Sequence, residues 1–185
     1  MNYTTKKLVV TALLIALGVV LPTFTGPALG SILLPMHIPA LLAGFVIDKK
    51  YAAIAGFTMP LFRSTLFGMP PMFPTAVAMS FELAAYGFMA GLMYELLASK
   101  KVKNSLVQIY GSLVVSLIVG RLVWGIVTFT LLTGFNMGSG VFTFAIFINS
   151  VLITSWIGIT IQIIIIPILV KALEKSGVTF SERQA

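Results

Sequence analysis

The sequence predicts an all-α integral membrane protein, a bundle of six membrane-spanning helices in a single domain formed by residues 1–185. Three observations lead to this prediction. Of the 185 residues, 58% are hydrophobic and only 9% are charged, too few charges to cover the exterior of a soluble domain of this length. The apolar residues are collected into runs of the length that crosses a bilayer. These runs alternate with short connections that are either rich in lysine or free of charge.

The first half of the chain supplies three of the predicted spans. Residues 8–24 are an apolar run that is longer than the ~7–15 residues of a signal-peptide core, and no small-residue cleavage site follows, so we interpret the run as the first span. The glycine- and proline-rich residues 23–31 predict an uncharged loop. Residues 34–47 are short for a span and open with two prolines, which suit the start of a helix. Residues 51–66 form the third span.

The second half supplies the other three predicted spans, at residues 73–97, 106–132 and 144–173. Gly120 and Gly125 are expected to interrupt the fifth span, because glycine weakens a helix. Residues 133–143 are rich in glycine and carry no charge, which predicts a loop.

The cations define the orientation of the predicted bundle. With six spans, ten of the twelve lysines and arginines fall on one side of the membrane, and the three connections on the other side carry none. Positive charge is retained on the cytoplasmic side, so both termini are predicted to be cytoplasmic. The same distribution accounts for the net charge of +7 without a nucleic-acid partner. The ten cations are Lys6, Lys7, Lys49, Lys50, Lys100, Lys101, Lys103, Lys171, Lys175 and Arg183.

Two charged residues lie deep inside the predicted spans. Glu82 is about nine residues from the uncharged side of its helix, and Arg121 lies at a similar depth in the next helix. A charged side chain at the bilayer centre costs roughly 2.5–3.5 kcal/mol on insertion scales, and such residues usually face a partner, a ligand or a proton path. Two interpretations are open: Glu82 and Arg121 neutralise each other as a structural pair, or at least one of them contacts a ligand.

Further polar and aromatic residues are expected near this pair. His37, Arg63 and Asn149 each lie a few residues from the uncharged side, so they could line one cavity together with the two charges. His37 could equally serve only at a helix start, and Arg63 could extend to the membrane surface. Tyr86 is four residues after Glu82, and Trp124 is three after Arg121, each on the same helical face as its charged neighbour; they could form bundle core or an aromatic wall of the cavity.

The sequence contains no recognisable catalytic set. It has no cysteine, a single histidine and no paired carboxylates within the spans, which leaves little for hydrolysis or metal chemistry. A phosphate-binding loop is also missing from the sequence, so the chain is not expected to hydrolyse ATP itself. We therefore expect neither an enzyme nor a bound cofactor or metal.

Four segments resemble a known family. The first span contains Ala12 and Ala16 in an AxxxA pattern, and the second opens with MHIPALLAGF at residues 36–45. The fourth reads FELAAYGFMAGL at residues 81–92, and the fifth GRLVWG at residues 120–125. Taken together over nearly the whole chain, these segments resemble an S component, the substrate-binding subunit, of an energy-coupling factor (ECF) vitamin transporter, most closely the folate, pantothenate and pyridoxine-type subfamily.

The resemblance implies a function and a set of partners. An S component is a six-helix protein of the bacterial plasma membrane that captures a water-soluble vitamin from outside. Ala12 and Ala16 would pack against a transmembrane T protein, which carries two ATPase subunits, and the S component is thought to topple in the membrane to deliver its substrate. The resemblance does not decide which vitamin is bound. A carboxylate such as pantothenate is expected if Arg121 faces the cavity, and a pyridoxine- or pyrimidine-type alcohol or folate are the other candidates.

A stand-alone secondary carrier of a small organic solute is the alternative function, and an intramembrane enzyme is a third. Such carriers commonly contain inverted repeats. The two three-helix halves of this sequence show no convincing duplication, which favours the binding subunit.

Overall fold

The computed structural model describes residues 3–100, 102, 104–134 and 143–176, and these are almost entirely helical with no β-strand among them. Part of the predicted loop 133–143, and Lys101, Lys103 and Arg183 from the cation count, lie outside the described residues. The α-helices are α1 (Tyr3–Leu33), α2 (His37–Val46), α3 (Lys49–Phe67), α4 (Val77–Ser99), α5 (Ser105–Phe129), α6 (Phe144–Ile148) and α7 (Trp156–Lys175). Short π-helical turns lie at Met72–Ala76, Thr130–Gly134 and Asn149–Thr154.

Four segments are long and apolar enough to cross a membrane, and they are Thr4–Gly26, Met72–Ser99, Ser105–Gly134 and Trp156–Lys175. Their outward faces carry large exposed apolar side chains, such as Leu13, Ile126 and Ile168, which suit contact with lipid chains. The prediction of an all-α protein with apolar spans is confirmed. The helix α2 has only 10 residues, and α3 is not among the four, so the count of six spans stays a prediction.

The first helix is longer than predicted, and the expected loop at residues 23–31 is wrong. Helix α1 continues to Leu33, with one kink at Gly26, where φ is 68° and ψ is 174°. A positive φ is accessible to glycine without steric cost, so Gly26 can interrupt the helical path at this one residue. The side chain of Thr25 donates a hydrogen bond to the carbonyl of Pro22, one turn earlier in the helix, at 3.1 Å.

The fifth and sixth spans also differ from the prediction. Helix α5 is continuous through Gly120 and Gly125, so the predicted interruption is wrong. These glycines serve packing: a Cβ at Gly120 would collide with the ring of Tyr86, and one at Gly125 with the ring of Phe147. The sixth span is not one helix, since α6, a π-helical turn and α7 follow one another with a break at Ser155.

Helices α2, α3 and α4 form the packed centre of the bundle. Nine of the ten residues of α2 are buried, so the other helices shield this short element from the surroundings. Glycines bring the three backbones together: a Cβ at Gly56 would meet the carbonyl of Leu83, and one at Gly87 would lie 2.6 Å from the carbonyl oxygen of Ala52. Small residues at such positions allow close helix contact. Gly87 and Gly91, four residues apart, form such a packing face on α4.

Ion pairs connect the helices at the lysine-bearing end of the bundle. Lys7 of α1 lies 3.7 Å from the Asp48 carboxylate, which also caps α3 by accepting a hydrogen bond from the backbone N–H of Lys50 at 3.2 Å. Glu95 of α4 pairs with Lys49. Two further contacts reach Glu174 of α7, from Tyr94 and Lys171. This end is therefore closed by packing and by charge pairing.

A charged cavity as the candidate binding site

A partly open cavity of about 390 Å³ lies at the end of the bundle opposite the lysines. This volume is toward the lower end of the ~300–1,000 Å³ of small-molecule pockets. Most of the lining is apolar, and it comes from the last part of α1, the start of α2, the residues around the α3–α4 connection, the late part of α5 and the break before α7. The lining residues are Pro22, Gly26, Gly30, Leu34, Pro35, Met36, His37, Arg63, Met69, Pro70, Pro71, Thr75, Met79, Glu82, Arg121, Trp124, Ser150, Thr154 and Ser155.

The cavity brings together five of the seven predicted site residues, namely His37, Arg63, Glu82, Arg121 and Trp124. Tyr86 does not line it, but is fully buried behind it and bonded to Glu82. Asn149 does not line it either; its side chain is exposed, and the next residue, Ser150, lines the cavity instead.

The Glu82 carboxylate is the centre of a buried polar cluster formed by Glu82, Arg121, Tyr86 and His37. Arg121 Nη1 donates to Glu82 Oε1 at 2.7 Å, and the Tyr86 hydroxyl donates to the same oxygen at 3.0 Å. His37 Nε2 lies 3.5 Å from it. Glu82 is 1% exposed and Arg121 is 8% exposed, so the pair is shielded from bulk water. Among the described residues, every polar contact of Glu82 goes to Oε1, which leaves Oε2 to accept a hydrogen bond from outside the cluster.

Arg121 offers a second set of donors. Its Nη1 is committed to Glu82, whereas its Nε and Nη2 are buried and have no hydrogen-bond partner among the described residues. These two nitrogens form one edge of the planar guanidinium, and their N–H groups point in nearly parallel directions. Such an edge matches the two oxygens of a carboxylate, which it binds with two parallel hydrogen bonds. Buried donors are rarely left unpaired, so this edge needs an acceptor.

His37 is 2% exposed and begins α2. Its ring packs against the Tyr86 ring, with centroids 5.5 Å apart and an interplanar angle of 57°. The Nδ1 atom is buried and has no partner among the described residues, and Nε2 approaches Glu82 without the alignment of a full hydrogen bond. One ring nitrogen therefore faces a carboxylate, and the other stays unused within the described part of the chain.

Arg63 adds a second cation to the cavity wall. It is 9% exposed, its Nη1 donates to the carbonyl of Val19 in α1 at 2.6 Å, and its guanidinium carbon lies 5.0 Å from the centroid of the Phe67 ring. Arg63 therefore ties α3 to α1 instead of extending to the membrane surface as considered above. With Arg121 and Glu82, the cavity has two cations and one anion, an excess of one positive charge when His37 is neutral.

Aromatic and small residues complete the wall. Trp124 stacks on Phe147 at a centroid distance of 6.2 Å and an angle of 22°. Pro22, Gly26 and Gly30, which recur every four residues along α1, line the cavity, but sequence reasoning missed them because it placed Pro22 near the end of the first span and the two glycines in a loop. Their spacing was the signal that could have revealed a helix face. Ser150, Thr154 and Ser155 also line the cavity, and nothing in the sequence distinguished them from other small polar residues.

Ala12 and Ala16 do not line the cavity. Both are exposed on α1, in the half of the helix that begins at the lysine-bearing end. Within the described part of the chain, no three histidine or carboxylate side chains come together as they would around a metal ion.

A charged, partly enclosed cavity between the helices of an apolar bundle is typical of membrane proteins that bind a small solute. A family model described as the substrate-specific component of an ECF transporter matches residues 6–170. The match extends over most of the chain, and this protein therefore belongs to that family, whose members are components of a transporter and not enzymes. The resemblance found in the sequence is thus confirmed at the level of the family. No curated protein and no solved structure matches the chain.

Proposed function

We propose that this protein is the substrate-binding subunit of an ATP-driven ECF importer, and that it captures a small water-soluble monocarboxylate from outside the cell, with pantothenate as the best candidate. The observation that carries the proposal is the unpaired Nε–Nη2 edge of Arg121 in the wall of the cavity. A ligand carboxylate would satisfy both buried donors at once, and each charge-assisted hydrogen bond is worth about 1.5–3 kcal/mol.

The charge and size of the cavity favour pantothenate over the other vitamins considered. An excess of one positive charge is neutralised by one carboxylate, which pantothenate has, whereas pyridoxine offers none and folate offers two. Folate is also much larger, and a cavity of about 390 Å³ favours a small ligand. The apolar part of the lining suits the two methyl groups of pantothenate, and Glu82 Oε2 is available to its hydroxyl or amide donors.

The proposed membrane arrangement has six spans, in a bacterial plasma membrane, with both termini in the cytoplasm. In this arrangement α2 and α3 are the second and third spans, and their burial against α4 removes the need for a long lipid-facing surface on α2. The described lysines then lie on the cytoplasmic side and the cavity opens outward, in agreement with the retention of cations inside. Ala12 and Ala16, exposed at the cytoplasmic half of α1, would contact the T protein, and two ATPase subunits would complete the importer.

Mass spectrometry of the ligand that co-purifies with the chain tests the substrate. We expect one pantothenate per chain in the wild-type protein and none in Arg121→Ala/Glu82→Gln, a variant that removes the donor edge without leaving an isolated buried carboxylate. Recovery of a neutral vitamin in place of a carboxylate would contradict the proposal.

Reconstitution in proteoliposomes tests the role as a subunit. We expect high-affinity pantothenate binding by the chain alone, and uptake only when a T protein and ATPase subunits are added with ATP. Uptake by the chain alone, driven by an ion gradient, would instead support the stand-alone secondary carrier.

A further inference from the structure

We infer that His37 is a specificity-determining residue: its Nδ1 accepts a hydrogen bond from an O–H or N–H donor of the ligand, close to the carboxylate that Arg121 binds. The site therefore selects carboxylates that carry such a donor over plain carboxylates. This inference rests on the proposed function and adds to it the second recognition contact of the same cavity.

The position of Glu82 assigns the two ring nitrogens of His37 their roles. A neutral imidazole has one N–H donor and one acceptor nitrogen, and the environment of one nitrogen decides the state of the other. Nε2 is the nitrogen that lies 3.5 Å from Glu82 Oε1. An ionised carboxylate only accepts hydrogen bonds, so the proton is favoured on Nε2 and the lone pair is left on Nδ1.

The unused nitrogen is a buried acceptor that no described residue satisfies, in a side chain that lines the cavity. Nδ1 has no hydrogen-bond partner among the described residues, and His37 both lines the cavity and is 2% exposed. A buried polar atom without a partner is unusual in a native protein. A ligand that brings a donor to this atom restores the missing hydrogen bond, whereas a ligand without one leaves the lone pair desolvated and unpaired.

The two recognition contacts come from neighbouring side chains, because Arg121 Nη1 and His37 Nε2 both approach the same oxygen of Glu82, at 2.7 and 3.5 Å. A ligand that satisfies both must carry its donor a few bonds from its carboxylate. Hydroxy acids and N-acyl amino acids meet this requirement. Pantothenate is an N-acyl β-amino acid, with an amide N–H next to the carboxylate-bearing chain and a hydroxyl just beyond the amide.

Three substitutions at His37 separate recognition of the ligand from support of Glu82. His37→Asn keeps a polar atom near the position of Nδ1, His37→Gln keeps one near that of Nε2, and His37→Phe removes both while preserving a ring. Binding of pantothenate and of nicotinate, a carboxylate without a neighbouring donor, is measured by calorimetry on each detergent-purified variant. Two pantothenate analogues, one methylated at the amide nitrogen and one without the secondary hydroxyl, identify the donor. Thermal unfolding of the same samples reports folding.

We expect His37→Phe to weaken pantothenate binding roughly tenfold or more, to leave nicotinate binding nearly unchanged, and so to lose the preference between the two. His37→Asn should retain most of the preference, and His37→Gln should lose it while unfolding at a temperature close to that of the wild type. One of the two analogues should bind the wild type about tenfold more weakly than pantothenate and bind His37→Phe without that penalty.

Several outcomes would overturn the inference and leave the proposed function standing. They are wild-type protein that binds nicotinate as tightly as pantothenate, a preference for pantothenate that survives in His37→Phe, or a preference retained by His37→Gln and lost in His37→Asn. The last result would show that the contact with Glu82 is what matters. Failure of the wild-type protein to bind either carboxylate would overturn the proposed function, and the inference with it.

Discussion

The replacement of Arg121 by alanine separates the two roles that its charge can have. In the wild-type protein, Nη1 of Arg121 neutralises Glu82 at 2.7 Å, and the Nε–Nη2 edge is free for a ligand. Arg121→Ala removes both interactions. The remaining neighbours of Glu82 are the Tyr86 hydroxyl at 3.0 Å and His37 at 3.5 Å, which do not supply the lost positive charge when the histidine is neutral.

The magnitudes follow from the burial of the pair. Glu82 is 1% exposed, so Arg121→Ala leaves an unpaired buried carboxylate and should lower the free energy of unfolding by roughly 3–5 kcal/mol. Arg121→Ala/Glu82→Gln carries no isolated charge and should recover most of that loss. Its affinity for pantothenate should nevertheless stay low, because two charge-assisted hydrogen bonds are missing; the loss of even one, about 1.5–3 kcal/mol, corresponds to roughly 10- to 150-fold weaker binding, which is the minimum expected.

Thermal unfolding in detergent and calorimetric titration with pantothenate measure the two quantities on the same samples. Arg121→Lys is the matched control, because it keeps a positive charge near Glu82 but lacks the planar edge. It should be more stable than Arg121→Ala and bind more weakly than the wild type. Recovery of wild-type affinity in the double variant would refute the reasoning, since it would limit Arg121 to a structural role.

Three further predictions concern docking, packing and topology. Ala12→Leu or Ala16→Leu adds bulk to an exposed face of α1 and should abolish uptake, whereas the isolated chain should still bind pantothenate. Normal uptake by both variants would exclude this face as the surface that docks on the T protein. Gly56→Ala places a methyl group against the Leu83 backbone and should destabilise the fold by roughly 1–3 kcal/mol. Gly111→Ala, where the nearest atom is the end of the Leu97 side chain at 3.1 Å, is its control and should change the unfolding temperature little; equal effects would contradict the packing argument. Reporter fusions after Lys50, Lys101 and Arg183 should give cytoplasmic signals, and fusions near Pro71 and Gly138 should give external signals. A cytoplasmic signal from the Gly138 fusion would refute the six-span arrangement.

The approach of Glu82 to Arg121 could be predicted from the sequence, whereas the full outline of the cavity could not. Helices have a fixed rise per residue, so counting from the uncharged side placed the two charges at the same depth. Counting residues does not predict which way a side chain points around the helix axis where the number of residues per turn changes. Asn149 begins a π-helical turn, and the wider turn exposes this residue and brings Ser150 to the cavity.

The last part of α1 was missed for a different reason. Pro22 and the glycines that follow it are typical of a loop when each residue is judged by its own helix propensity. In the structure, the Thr25 hydroxyl bonds to the carbonyl of Pro22 within the helix, and the small residues let this part of α1 line the cavity. Such compensation depends on neighbours in space, which residue propensities do not contain.

The shortness of α2 has a consequence for the electric field across the membrane. In the proposed orientation, the cavity opens to the external water and extends to His37, and α2, with nine of its 10 residues buried, separates it from the cytoplasmic end. At a rise of ~1.5 Å per residue this barrier is about 15 Å thick, roughly half of the ~30 Å hydrocarbon core. The membrane voltage then falls mainly across α2, so the field there is about twice its usual strength. An anionic ligand reaches Arg121 before it enters that field. Its affinity should therefore depend little on the membrane voltage. A ligand that crossed the whole field would change in energy by ~2.3 kcal/mol per charge at 100 mV.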